Sequence, residues 1–325
     1  MKYRIIWSKT FRKELATADT PQAEQRLVLS VLIAAYGDDV SELLSALKNC
    51  VDFGLPERWE VEILVSDQFD TPHPNHNRWE QDAMVSYVHS STKGRARNRN
   101  ELAEIAQGDY FLFLDADALP KTDGFLNRYC NYASGAQVVV GGTAYMPGHM
   151  SERLRVKVGK VKEEVLPVKR ELQPYGSFSA FNFLIRADLF EKIGFDQSIT
   201  KYGHEDTLFG TALCHHCFDV IHIDNPAYHM GIDRDEEFMD KTEHAVRGLA
   251  QLVALGKIDE EVLLYRYYLW ARRVGATPLL KLGYKLVGKT LKSRLSKGKG
   301  PLVFFDLYKL LLFSSHTIKV QRKMS

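Results

Sequence analysis

Cysteine is scarce in this chain: 325 residues carry four, Cys50, Cys130, Cys214 and Cys217. Thiols so few and so scattered exclude a disulfide-stapled scaffold and point to a reducing compartment. Long apolar runs are also missing. Nothing approaches the roughly 18 to 20 apolar residues that span a bilayer, and the opening MKYRIIWSKTFRKEL has no apolar stretch of signal-peptide length. The expected location is the cytoplasm. A strong overall charge is lacking too, since the net value is +2, but that balance conceals an asymmetry. From residue 271 onward there are thirteen Lys and Arg against one acid, Asp306, whereas thirty basic and forty acidic residues precede them.

What is present describes an ordinary globular protein, 45% hydrophobic and 26% charged. LVLSVLIAAYG at 27–37, VEILVSD at 61–67, MVSYVH and FLFLDAD read as strands. Between them, SELLSALKNCVDF has apolar residues at helical spacing, and NRNELAEIAQG reads as a helix closed by Gly108 as C-cap. This alternation predicts an α/β fold with a mostly parallel sheet flanked by helices. Further strands are expected at QVVVGGTAYM, SFSAFNFLIR and VIHIDNPAYH, and helices at ADLFEKIG and after Glu205. The expected organisation is an N-terminal arm at 1–26, a catalytic domain at 27–235 divided near residue 120, and a helical, basic region at 236–325.

The Asp-Ala-Asp of FLFLDADALP carries the first chemical signal. A buried strand delivers Asp115 and Asp117 to the sheet edge where open α/β folds bind ligands. Two carboxylates that close repel unless a cation or hydrogen-bond donors meet them. A divalent metal carrying phosphates meets that need; solvated carboxylates in a turn or helix cap are the alternative.

Several short motifs then follow in one order, and together they resemble the inverting nucleotide-sugar glycosyltransferases of the GT-A fold, family two. SVLIAAYGDD stands where that family has a Pro-Thr-Tyr-Asn-like turn, with Ala34 and Ala35 replacing Pro and Thr. EILVSD matches its second strand, ending at Asp67; Arg95, Arg99 and Asn100 align with its basic segment; the DxD falls on its metal site. NFLIRADLFEKIGFDQSITKYGHED is similar to its acceptor-side signature, with Tyr202 in place of Trp.

The resemblance implies a Rossmann-like nucleotide half and an acceptor half. It implies that Ala35, Tyr36, Asp67, Arg95, Arg99 and Asp115 contact the donor nucleotide sugar, a UDP-sugar by preference. Asp117 and His229 become the ligands of Mn²⁺ or Mg²⁺, Asp206 the base that deprotonates the acceptor hydroxyl, and Glu205 its companion. Asn182 and His204 are expected to line the pocket of a glycan or lipid-linked acceptor, in surface polysaccharide synthesis. For Asp206, N-capping of a helix beginning at Thr207 is the structural alternative; for His229 it is a hydrogen-bonded structural histidine. Cys214-His-His-Cys217 has no second half for a zinc site and reads as two thiols on a buried helix.

The tail puts Lys281, Lys285, Lys289 and Lys292 on one face of a helix beside Leu279, Leu282 and Leu286, followed by the apolar PLVFFDLYKLLLF. This suits peripheral contact with a membrane surface, against packing on the catalytic domain or a partner; no nucleic-acid-binding signature is present. Two other readings of the whole compete. Haloacid-dehalogenase-like phosphatases also place D-x-D after an apolar strand, but there it opens the fold, and here it follows two strands. A catalytically inactive GT-A module that binds a partner is the other, and the presence of Asp117, Asp206 and His229 in one chain argues against it.

Overall fold

The computed structural model describes residues 26–71, 73–79, 81–91, 93–198, 203–258 and 262–324. The expected N-terminal arm, apart from Arg26, and Tyr202 lie outside the described residues. The first half alternates β1 (Leu27–Ala35), α1 (Ser41–Phe53), β2 (Trp59–Asp67), β3 (Val85–His89), α2 (Arg95–Ile105) and β4 (Tyr110–Asp115). Then come β5 (Ala118–Pro120), α3 (Phe125–Ala133), β6 (Val138–Val140), β7 (Thr143–Ala144), α4 (Leu154–Lys162) and α5 (Pro167–Arg170). The acceptor-side motifs form β8 (Asn182–Arg186), α6 (Ala187–Ile193), α7 (Glu205–His215), β9 (Val220–His222) and β10 (Ala227–His229). Four helices complete the chain: α8 (Asp235–Ala254), α9 (Leu263–Arg273), α10 (Thr277–Leu295) and α11 (Leu302–Met324).

Seven strands form the main sheet in the order β3-β2-β1-β4-β8-β6-β9. β1 runs parallel to β2 and β4, and β2 to β3, while β8 is antiparallel to both β4 and β6. The strands read as continuous apolar runs because both sheet faces are covered. Leu29, Val31, Ile33, Leu112 and Leu114 point into a core with α1 and α3, and the alternate residues Leu32, Phe111 and Phe113 into one with α2, α6 and α7. Register puts Ala35 opposite Asp67 and Ala34 opposite Asp115, so the chemical residues emerge together at one edge.

A third core joins α8 to α11 and takes in Leu154 and Val158 of α4. The tail helices therefore pack on the rest of the protein, as one of the two expectations held. No helix among the described residues is long and apolar enough to cross a membrane.

Two local expectations need correction. α2 ends at Ala106 in extended conformation, so Gly108 is not its C-cap. Gly108 instead donates its N–H to the Ser30 hydroxyl at 2.8 Å, and a Cβ there would stand 2.4 Å from that oxygen; close approach, not left-handed backbone, requires glycine. Cys217 is exposed beyond the end of α7 at φ 54°, and Cys214 is half-buried, so the pair does not form the expected buried thiols.

Candidate active site

The carboxyl ends of β1, β2 and β4 open onto a cleft of about 300 Å³ lined by Ala34, Ala35, Tyr36, Gln68, Arg99 and Asp117, among others. Beside it lies a cavity of about 440 Å³ whose walls include Arg155, Lys162, Ser179, Phe181, Asp206 and His229. Arg95 and Asp115 line both, so the two spaces meet at those side chains. Arg95 is the first residue of α2, after Gly94 at φ 120°.

Arg99 forms an ion pair with Asp115 and lies 5.2 Å above the Phe195 ring. Its neighbour Asn100 brackets the Phe195 backbone, donating from Nδ2 to the carbonyl and accepting its N–H, both at 2.9 Å. The Arg-Asn pair therefore holds the turn after Gly194 against α2, which explains why these two distant motifs occur together. Burial would raise the Asp115 carboxyl, but the Arg99 and Arg95 guanidiniums outweigh it and hold it below the usual carboxylate range. Burial raises Asp117, opposed by His229 and reinforced by Asp115. One member of the DxD is thus held anionic by arginines while its partner lacks comparable compensation.

A second, three-stranded sheet in the order β5-β10-β7 brings Asp117 to His229. β10 pairs antiparallel with β5, placing His229 opposite Ala118, and the Met230 N–H donates to the Asp117 carbonyl at 2.9 Å. His229 Nε2 stands 3.8 Å from Asp117 Oδ2. Its ring stacks between Tyr145 and Phe181, with centroids at 5.8 and 5.2 Å and interplanar angles of 15°. Its Nδ1 is buried without a hydrogen-bond partner, unlike the bonded structural histidine of the alternative. Tyr145 donates its hydroxyl to Glu163, which Arg155 grips with both terminal nitrogens at 2.9 Å.

A carboxylate and an imidazole at this separation can share one cation with bonds of about 2.0–2.2 Å. Among the described residues no group of three or more His, Cys, Asp or Glu side chains could hold a metal. The remaining ligands would be substrate oxygens and water, as Mg²⁺ prefers. The residues present fit such an ion.

Asp206 faces the same cavity from α7. The helix begins at Glu205, with His204 as its N-cap residue, so the alternative of Asp206 capping a helix at Thr207 does not hold. Asp206 Oδ2 accepts the Ala180 N–H at 3.1 Å and the Ser179 hydroxyl at 3.4 Å. Burial raises its carboxyl despite Arg99, and the Asp115 charge adds to the rise.

Other expected residues are placed elsewhere. Asp67 is fully buried, and its carboxylate accepts the Gly37 and Phe69 N–H groups and the Tyr87 hydroxyl. It shapes the loop beneath Tyr36, while Gln68 beside it lines the cleft. Asn182, 1% exposed, donates to the Gly142 and Asn225 carbonyls and accepts from Tyr129, and it lines neither cavity. His204 packs on α8, its Nε2 2.8 Å from the Ala245 carbonyl, and lines neither cavity; nor does Glu205.

Sequence reasoning also missed residues. Asn98 lines the cleft with Nδ2 bonded to the Ser66 carbonyl at 3.0 Å and Oδ1 buried without a partner. Arg170, lining the cavity, spends its guanidinium on the Val140, Gly141, Val165 and Ile223 carbonyls and His222. The polar residue following a strand's terminal Asp was a usable signal for Gln68. Nothing local marked Arg170.

A Rossmann-like sheet whose β4 delivers an Asp-x-Asp to a cleft shared with a second cavity defines a glycosyltransferase of the GT-A fold. Residues 30–194 match the family model described as glycosyl transferase family 2, and the chain belongs to that family. Among solved structures, the mannosyltransferase PcManGT from Pyrobaculum calidifontis, in complex with GDP-Man and Mn²⁺, is similar at a TM-score of 0.53. It shares 16% identity, over 97% of this chain and 94% of that one. TarS 1-349 of S. aureus is similar at a TM-score of 0.49 and 16% identity, over 91% of this chain and 92% of that one. The first of these likenesses bears on the fold. Comparison with curated proteins found no match.

Proposed function

We propose that this glycosyltransferase moves a sugar from a nucleotide-sugar donor to a hydroxyl of a glycan or lipid-linked acceptor, with inversion, in the synthesis of a surface polysaccharide. The observation that carries this reading is the junction at Arg95 and Asp115. It sets a nucleotide-sized cleft end to end with a cavity that holds a second carboxylate, Asp206.

In this reading Ala35, Tyr36 and Gln68 border the nucleoside, and Arg95 meets the diphosphate, since a guanidinium matches phosphate oxygens bidentately. Asp115, oriented by Arg99, receives sugar or ribose hydroxyls. Asp117 and His229 hold Mn²⁺ or Mg²⁺, which when bound neutralises the charge of the departing diphosphate. Asp206 accepts the proton of the acceptor hydroxyl as its oxygen bonds to the anomeric carbon and the bond from that carbon to the diphosphate breaks. A carboxyl raised by burial is a stronger base than a solvated one, which suits that step. Direct attack needs no protein nucleophile and inverts the anomeric centre.

The test is release of nucleoside diphosphate from UDP-, GDP- and CDP-sugars with and without Mn²⁺, using Asp117→Ala as control. A UDP-sugar is the expected donor, and the GDP-sugars belong in the panel because the mannosyltransferase of similar fold was solved with GDP-Man. Absence of both donor binding and release would overturn the reading, and turnover of p-nitrophenyl phosphate would favour a phosphatase.

A further inference from the structure

We propose that α9 and α10 form a surface that lies on an anionic lipid bilayer. Leu263, Tyr267, Trp270 and Val274 recur on α9 at the spacing of a single helical stripe, and all are exposed, Trp270 by 64%. The buried residues of that helix, Tyr268 and Ala271, lie beside the stripe, and Tyr268 packs in the helical core. α10 repeats the arrangement. Its Gly288, Leu291 and Leu295 are buried, yet Leu279, Leu282 and Leu286 form a second exposed stripe, with Leu279 and Leu286 each 71% exposed.

A helix needs one apolar face to join a core; these two have a second one turned to water. Charge identifies what covers it. Lys285 and Lys289, both exposed, flank the Leu282–Leu286 stripe at helical spacing, and Lys297 and Lys299, also exposed, follow beyond the end of α10. Neither α9 nor α10 contains an acidic residue. Asp259, Glu260 and Glu261 precede α9 in the sequence, but the apolar side chains along α10 are bordered by cations, an arrangement that matches acyl chains under acidic headgroups. Trp270 is the residue type that settles at such a boundary.

This surface reaches the candidate site through α11 and α4. Lys162, which lines the larger cavity, bonds Asp306 on α11, where Val303 and Leu307 are exposed. A lipid-linked acceptor, the class named in the transferase reading on which this last step rests, would meet the cavity without leaving the bilayer.

The test uses the full chain with vesicles of phosphatidylcholine alone or mixed with phosphatidylglycerol. Of the four tryptophans, Trp59 and Trp79 are buried and Trp7 lies outside the described residues, so a blue shift of emission that is lost in Trp270→Phe and kept in Trp7→Phe reports contact at α9. Binding is expected only to the mixed vesicles. It should weaken about thirty-fold in Lys285→Ala/Lys289→Ala, and also in Leu282→Ser/Leu286→Ser, with thermal unfolding and donor hydrolysis in solution unchanged. No binding by the parent chain, or binding indifferent to both double variants, overturns the proposal. So does self-association in sedimentation that the leucine variant abolishes, which would assign the face to a second copy. Donor hydrolysis needs no lipid, so its failure marks the transferase reading separately.

Discussion

His229 Nε2 stands 3.8 Å from Asp117 Oδ2, although Asp117 lies in the turn between β4 and β5 and His229 ends β10. The carboxyl of Asp117 is raised by burial and Nε2 is the ring nitrogen turned toward it, so a cation shared by these two atoms would offset the cost of enclosing the carboxylate. Asp117→Ala and His229→Ala should each abolish the rise in melting temperature that Mn²⁺ adds to nucleotide-sugar binding. Scanning fluorimetry with and without metal checks this, and an undiminished shift in both variants would remove the pair from the metal site.

Asp206→Asn should keep donor binding and lose transfer by about 10²- to 10⁴-fold, the range for a general base. The sign of the pH effect follows from burial. A raised carboxyl stays protonated to higher pH than a free one, so kcat should climb through that raised value as Asp206 ionises. A rise confined to the ordinary carboxylate range would assign proton transfer elsewhere.

Arg99→Ala leaves Asp115 without its ion-pair partner in a largely enclosed position. Breaking a buried pair from one side costs about 3–5 kcal/mol, readable by urea denaturation. Donor affinity should fall with it, because an uncompensated Asp115 repels the diphosphate.

Gly108→Ala pushes a methyl against the Ser30 hydroxyl and, at 2.8 Å, against the Ser30 backbone nitrogen. Backbone cannot swing aside as a side-chain tip can, so a loss of about 1–3 kcal/mol is expected. Double substitution with Ser30→Ala should recover only the part due to the hydroxyl.

Asp196 carries an acid-sensitive contribution to stability. Its partners Lys257 and Ser198 overcome burial and bring its carboxyl down to about 2. A depressed carboxyl stabilises the fold above its unfolded value near 3.8 and loses that stabilisation as pH falls through about 2. With solvent screening the effect is under about 1 kcal/mol. Asp196→Asn should therefore melt earlier than the parent at neutral pH and together with it below pH 2.

The strands and helices of the first half were legible because both sheet faces are buried and the apolar runs end at Gly or Asp. Asp115, Asp117, Arg95 and Arg99 could be placed for the same reason, since Asp115 ends β4, Asp117 follows it by two residues, Arg95 begins α2 and Arg99 lies one turn further along it. The surroundings of Asp67 and Asn182 were not legible. An acid ending a strand reads alike whether it points out to a ligand or back into its own loop, and only Gly37, Phe69 and Tyr87 decide the matter. Likewise Asn182 is claimed by Tyr129 and Asn225, partners from other elements that no spacing announces. The Leu279, Leu282 and Leu286 stripe of α10 was legible beside its lysines, whereas the α9 stripe was not, because its buried residues Tyr268 and Ala271 are apolar too and spacing does not say which apolar face is covered.

The pairing of β5 with β10 has a consequence for biosynthesis. β1 to β4 lie before Asp117 in the chain, whereas His229 reaches it only when Ala227–His229 docks beside Ala118–Pro120. The order of synthesis therefore makes the juxtaposition of these two side chains a late event, after the parallel strands have left the ribosome.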